Sequence, residues 1–156
     1  MTGAKSGGRN WPESKHNKVA SYVLDTSAIM CVLFGEQGAS QVMAILTAPQ
    51  DPDEREASLV IVPFVALMET EYWLLRRRPA REVERTLLLV ENWPVTIVES
   101  TEEWRHEAAR IKAGNRLSLA DAWIASLAIL HSAQLVHKDP EFDLVVGLES
   151  LRLPNR

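Results

Sequence analysis

The chain has 156 residues, 46% hydrophobic and 24% charged, which suits one globular domain with a real core. A formal net charge of −4 excludes a uniformly basic nucleic-acid binder, so any contact with phosphates must come from local patches. The one cysteine, Cys31, excludes an internal disulfide and points to a reducing compartment; within the apolar run Ile29 to Phe34 it reads as buried packing. There is no apolar stretch of membrane-span length and no signal-peptide-like segment at the start, so the expected location is cytoplasmic.

Residues 1–18 are rich in Gly, Ser, Lys, Arg and Asn and nearly devoid of apolar side chains, which predicts a flexible arm ahead of one domain over 19–156. Val19 to Leu24 reads as a strand, and Thr26 to Phe34 as a helix opened by Asp, Thr or Ser caps. A second helix is expected from Glu36 to Thr47, then a polar, Pro-containing loop from Ala48 to Glu56. Leu59 to Val62 is a short apolar strand, and Pro63 opens a helix reaching about Arg77, since Pro suits a first helical turn. Pro79 separates this from a helix over about Arg81 to Glu91. Val95 to Val98 follows as a strand, Ser100 to Ala113 as a helix stopped at Gly114, and Ser118 to Ser132 as another helix. Strands at Leu135 and near Leu151 to Leu153 complete the pattern. Short strands that are apolar throughout and separated by helices predict a three-layer α/β fold around a parallel sheet. Ligands of such open sheets bind beyond the carboxyl ends of the strands.

Four acids stand where a carboxylate is awkward for folding. Asp25 ends one apolar strand and Asp139 closely follows another. Glu69 has Val65, Ala66, Tyr72 and Trp73 one turn away, so it lies on an apolar helix face, while Glu71 points roughly across the helix. Asp121 has Leu117, Ile124, Ala125 and Ala128 as helical neighbours. Each also has a structural role available: an N-cap for Asp25, a core-edge acid for Glu69, a capping box with Ser118 for Asp121 and a turn for Asp139 before Pro140. Together, two strand ends and two helix starts bring carboxylates to one rim of one sheet. Several carboxylates cannot all ionise at close range without a cation, and hard divalent ions such as Mg²⁺ or Mn²⁺ prefer oxygen ligands. The chemistry this suggests is metal-dependent hydrolysis of phosphodiesters.

Four stretches carry a resemblance: Tyr22 to Ala28 (YVLDTSA), Val62 to Glu71 (VPFVALMETE), Leu117 to Ala125 (LSLADAWIA) and Leu135 to Phe142 (LVHKDPEF). In this order the chain resembles the PIN domain family, specifically the ribonuclease toxins of VapBC-type toxin–antitoxin pairs, over about residues 19 to 153. The resemblance implies a PIN-like fold with about five parallel strands, and Asp25, Glu69, Asp121 and Asp139 as metal-binding acids. It also implies an RNA substrate, a homodimer and a cognate antitoxin covering the active groove. Two positions depart from the family pattern: His137 stands where Thr or Ser is usual, and Glu141 where Asp is often found before the closing Phe. His137, Glu141 and Asp143 are further candidates at the site, with a packed strand histidine the expected role of His137.

For phosphate contacts, Arg110, Lys112 and Arg116 are expected ahead of Arg76, Arg77, Arg78, Arg81 and Arg85, among which Glu82 and Glu84 are interleaved. The alternative to an endoribonuclease is a non-catalytic PIN module binding RNA or a partner protein; a full set of four acids argues against it. A phosphorylated receiver-type domain would need an Asp ending a middle strand, and Val62-Pro63 and Val98-Glu99 offer none.

Overall fold

The computed structural model describes residues 20–50 and 58–155, so the arm read at 1–18 and most of the polar loop after Ala48 lie outside the described residues. Five strands form one parallel sheet: β1 (Ala20–Leu24), β2 (Ser58–Pro63), β3 (Thr96–Val98), β4 (Gln134–His137) and β5 (Ser150–Arg152), in the order β3-β2-β1-β4-β5. Six helices connect them: α1 (Thr26–Phe34), α2 (Ala39–Thr47), α3 (Phe64–Leu75), α4 (Ala80–Glu91), α5 (Glu102–Gly114) and α6 (Leu119–Leu130). None is long and apolar enough to cross a membrane.

The chain order reverses at β1. From β1 the chain steps outward through β2 to β3, then returns to place β4 on the other side of β1. Right-handed crossovers stepping in opposite directions emerge on opposite faces, which yields three layers. The crevice between the ends of β1 and β4 is the topological switch point, where such sheets bind ligands. Here the Asp25 N–H donates to Val136 O at 3.1 Å, tying the two strand ends together.

Local chemistry sets the helix ends. Asp25 caps α1 and accepts from the Ser27 N–H, Thr101 caps α5 through the Trp104 N–H, and Ser118 caps α6 through the Asp121 N–H. The second helix starts at Ala39 rather than Glu36, because Gly35 and Gly38 adopt φ of +61° and +98° and break the run. A side chain at Gly38 would also press on Leu153 and Pro154, with a Cβ 3.2 Å from each. Pro63 caps α3 from outside the first turn, and the last strand begins one residue earlier than expected.

The core is one cluster around the sheet, including Val23, Leu24, Val60, Ile61, Leu135 and Val136. Beside it, Phe64, Trp104 and Trp123 meet edge to face with centroids 4.8–5.6 Å apart. The Trp104 indole N–H reaches Trp123 O at 2.8 Å and Ser126 Oγ at 3.0 Å, so its polar tip is satisfied inside the core. This trio locks the start of α3 to α5 and α6.

Candidate active site

One cleft of about 360 Å³ is lined by Asp25, Glu69, Asp121 and Asp139 together. Asp25 enters it because it directly follows β1, and Asp139 because it stands two residues beyond the end of β4. Asp121 enters from the first turn of α6, and Glu69 from the second turn of α3 rather than from a helix start. Glu71 is exposed and does not line the cleft.

The first turn of α1 organises the acids. Ser27 Oγ donates to Asp25 Oδ2 at 2.5 Å, with the Ser27 N–H on the same oxygen at 3.1 Å. The same hydroxyl accepts the Lys138 N–H at 3.0 Å, which ties the segment after β4 to the cap of α1. Thr26 Oγ1 donates to Glu69 Oε2 at 2.5 Å. Asp121 and Ser118 form a reciprocal cap: the Asp121 N–H donates to Ser118 Oγ at 3.0 Å, and Ser118 Oγ to Asp121 Oδ2 at 2.5 Å. The Asp139 carboxylate accepts the Glu141 N–H at 2.8 Å and so starts the 3₁₀ turn Pro140–Leu144. The capping roles open to Asp25, Asp121 and Asp139 are therefore all used, and the same residues still line the cleft.

The electrostatics are those of an under-neutralised anionic site. Burial pushes the Asp25 carboxyl up to about 6, against the Ser27 hydrogen bonds, and the charges of Asp121 and Glu69 push the same way. Burial raises Glu69 too, with Asp121 adding to the rise and the Thr26 bond opposing it. Among the described residues, no three acid, His or Cys side chains are drawn up as a ready-made cage for an ion. The four acids share this one cleft. The donor set fits a hard divalent ion: every donor is a carboxylate oxygen, burial and, less, the charges of Asp121 and Glu69 raise the Asp25 carboxyl, and Mg²⁺ needs only one or two carboxylates beside water and phosphate.

Other candidates take different places. His137 is fully buried, packed edge to face on Phe142 with centroids 5.0 Å apart, and among the described residues neither ring nitrogen has a partner in good hydrogen-bond geometry. Its closest acid atom in an ion-pair sense is Asp143 Oδ1, at 3.7 Å. Burial holds its pKa below the usual value, aided by Arg152 and opposed by Asp139 and Asp143. Asp143 pairs with Arg152 at 2.9 Å, and Glu141 lines a neighbouring pocket with Arg116 and Leu144. None of the three lines the acidic cleft.

The basic residues are likewise redistributed. Arg110 pairs with Glu107, Lys112 donates to Leu117 O at 2.7 Å, and Arg116 faces the neighbouring pocket, so none of these three lines the acidic cleft. Arg77 lies 3.9 Å over the ring of Trp73, a cleft-lining residue, and Arg78 pairs with Glu82. Sequence reasoning missed Thr26, Ser27, Glu36 and Lys138, all in the cleft wall. The signal for the first two was present, since both follow Asp25 directly in a capping turn.

A model of the PIN domain family matches residues 22–148. Among solved structures, the chain is similar to VapBC2 from Rickettsia felis bound to a promoter DNA fragment, with a TM-score of 0.70, 15% identity and coverage of 86% of this chain and 99% of that one. It is similar to VapBC-1 from nontypeable Haemophilus influenzae, with a TM-score of 0.65, 18% identity and coverage of 85% and 97%. It is also similar to VapC20 of Mycobacterium tuberculosis, a Sarcin-Ricin loop cleaving toxin, with a TM-score of 0.60, 16% identity and coverage of 82% and 98%. No curated protein matches the chain.

Proposed function

Because this chain belongs to the PIN domain family, we propose that it is a Mg²⁺- or Mn²⁺-dependent endoribonuclease acting as the toxin of a toxin–antitoxin pair. One observation carries the reading: four acids scattered along the chain line one cleft at the switch point of the sheet. Asp25, Glu69, Asp121 and Asp139 would hold the ion. A bound divalent ion supplies positive charge against phosphate oxygens and lowers the pKa of water at the site.

The chain's own residues prepare the cleft. Ser27 and Thr26 hold the Asp25 and Glu69 carboxylates in place, so little reorientation is needed when substrate enters. The Ser118 and Glu141 contacts do the same for Asp121 and Asp139. RNA as substrate and a VapB-like antitoxin are supported by the likeness to VapBC complexes and to a toxin that cleaves the Sarcin-Ricin loop; the homodimer is part of the proposal through the family resemblance alone.

Incubating the purified chain with labelled single-stranded RNA tests the reading: cleavage should require Mg²⁺ or Mn²⁺ and stop with EDTA. Cleavage that survives chelation would remove the metal mechanism. Metal-dependent RNA binding with no cleavage in any condition would favour the non-catalytic module instead. Expression of the chain alone should arrest growth, relieved by a small DNA-binding protein encoded immediately upstream; lack of such a partner would leave the nuclease but not the toxin.

A further inference from the structure

Among the described residues, Lys138 is the one basic side chain lining the acidic cleft, facing five carboxylates that include Glu36. Its position follows from the end of β4. His137 turns fully into the core against Phe142, and the Lys138 N–H is fastened to Ser27 Oγ, leaving the Lys138 side chain on the cleft wall. The ammonium pairs with Glu36 Oε2 at 2.6 Å rather than with any of the four acids. Glu36 is free to meet it because Gly35 and Gly38 hold residues 35–38 out of both flanking helices.

The pair is asymmetric. The Lys138 side chain is 14% exposed and that of Glu36 is 33% exposed, so the acid is the partner nearer solvent. An ammonium has three donors: one goes to a single carboxylate oxygen of Glu36, and the Cys31 thiol lies against the same ammonium, which leaves a donor for a phosphate. Beside a bound ion, a fixed cation in a wall of carboxylates favours entry of a polyanionic strand, and Arg110, Lys112 and Arg116 all lie elsewhere.

We propose that Lys138 is the RNA-phosphate-binding cation of this cleft, and that Glu36 holds its ammonium until a backbone phosphate displaces the carboxylate. This rests on the nuclease reading above. The rival role is a static brace between the turn after α1 and the end of β4.

The test follows anisotropy of a fluorescein-labelled single-stranded RNA on the full chain, with Ca²⁺ in place of Mg²⁺, over a salt series. Lys138→Met should weaken binding about tenfold or more, as for loss of a hydrogen bond to a charged group. It should also flatten the log–log salt dependence by about 0.7, the value of one single-strand phosphate contact. Lys138→Arg should restore both, and Glu36→Gln, which releases the ammonium, should tighten binding. A brace gives the opposite pattern: both Lys138→Met and Glu36→Gln lower the melting temperature, and the salt slope stays at the wild-type value. That pattern overturns the inference, while Mg²⁺-dependent cleavage by the wild type would keep the nuclease reading intact. A wild type that neither binds nor cleaves RNA overturns both.

Discussion

Thr26 donates its hydroxyl hydrogen to Glu69 at 2.5 Å across 43 residues of sequence, joining the first turn of α1 to the second turn of α3. The next residue, Ser27, holds Asp25 in the same manner. Two consecutive hydroxyls thus each fix a different acid of the cleft. Without them, two carboxylates facing each other in a half-buried site would swing apart to relieve repulsion.

Thr26→Val keeps the shape and removes the hydroxyl. The expected result is a kcat lowered roughly tenfold with KM little changed, since an orienting contact is lost rather than a substrate contact. Thr26→Ser should restore most of the rate in the same cleavage assay. A Val variant at full rate would show that Glu69 is held by its surroundings alone.

Replacing the acids themselves should cost more. Asp25→Ala or Glu69→Gln is expected to lower kcat/KM at least about a hundredfold, the scale of lost charge stabilisation in a transition state. Glu71→Gln should stay within about twofold in that assay, because Glu71 is exposed and outside the cleft. An inactive Glu71→Gln beside a normal Glu69→Gln would transfer the role to the other face of α3.

Asp25 makes the metal-free protein less stable as pH rises. Its folded pKa is about 6 against an ordinary 3.8. Between those values the folded state binds the extra proton, so stability declines with rising pH, by an amount on the order of 3 kcal/mol once both are passed. Melts in EDTA from about pH 4 to 7 should therefore fall relative to Asp25→Asn, which removes the titration. His137 has the opposite sign: its folded pKa is lowered, so its contribution is present at neutral pH and lost as pH drops below the ordinary histidine value. If wild type and Asp25→Asn run parallel across this range, the burial of Asp25 carries no electrostatic cost.

Asp121→Asn should leave the metal-free melting temperature equal or raised. It removes one charge from a repelling set, and the amide oxygen still accepts from the Ser118 hydroxyl. The backbone half of the cap, Asp121 N–H to Ser118, is untouched. A fall of more than about 1 kcal/mol in EDTA, the usual cost of losing a cap, would make Asp121 chiefly structural.

Much of this was legible in one dimension. Apolar strands bounded by polar turns, together with caps at Asp25 and Ser118, are encoded within a few residues, and the elements formed there with shifts of a residue or two at most ends. The α2 start moved furthest, because two glycines at positive φ outweighed the helix-forming residues between them. Glu69 was marked by its apolar neighbours, since helical periodicity makes its face visible from sequence alone.

What the chain order could not decide was which side chains meet across the sheet. Whether Arg110, Lys112 and Arg116 or Lys138 would face the acids depended on the reversal at β1, which puts the ends of β1 and β4 side by side. Glu141 was sent to a neighbouring pocket by the 3₁₀ turn that Asp139 caps, whereas the packed place of His137 was already legible from its position in an apolar strand. Local propensity acts over a few residues, so sequence by itself determined the elements, their caps and the acids out of place in apolar surroundings. Pairing of charges such as Lys138 with Glu36 spans 102 residues and exists only once parallel strands have been ordered, so tertiary structure alone decided it.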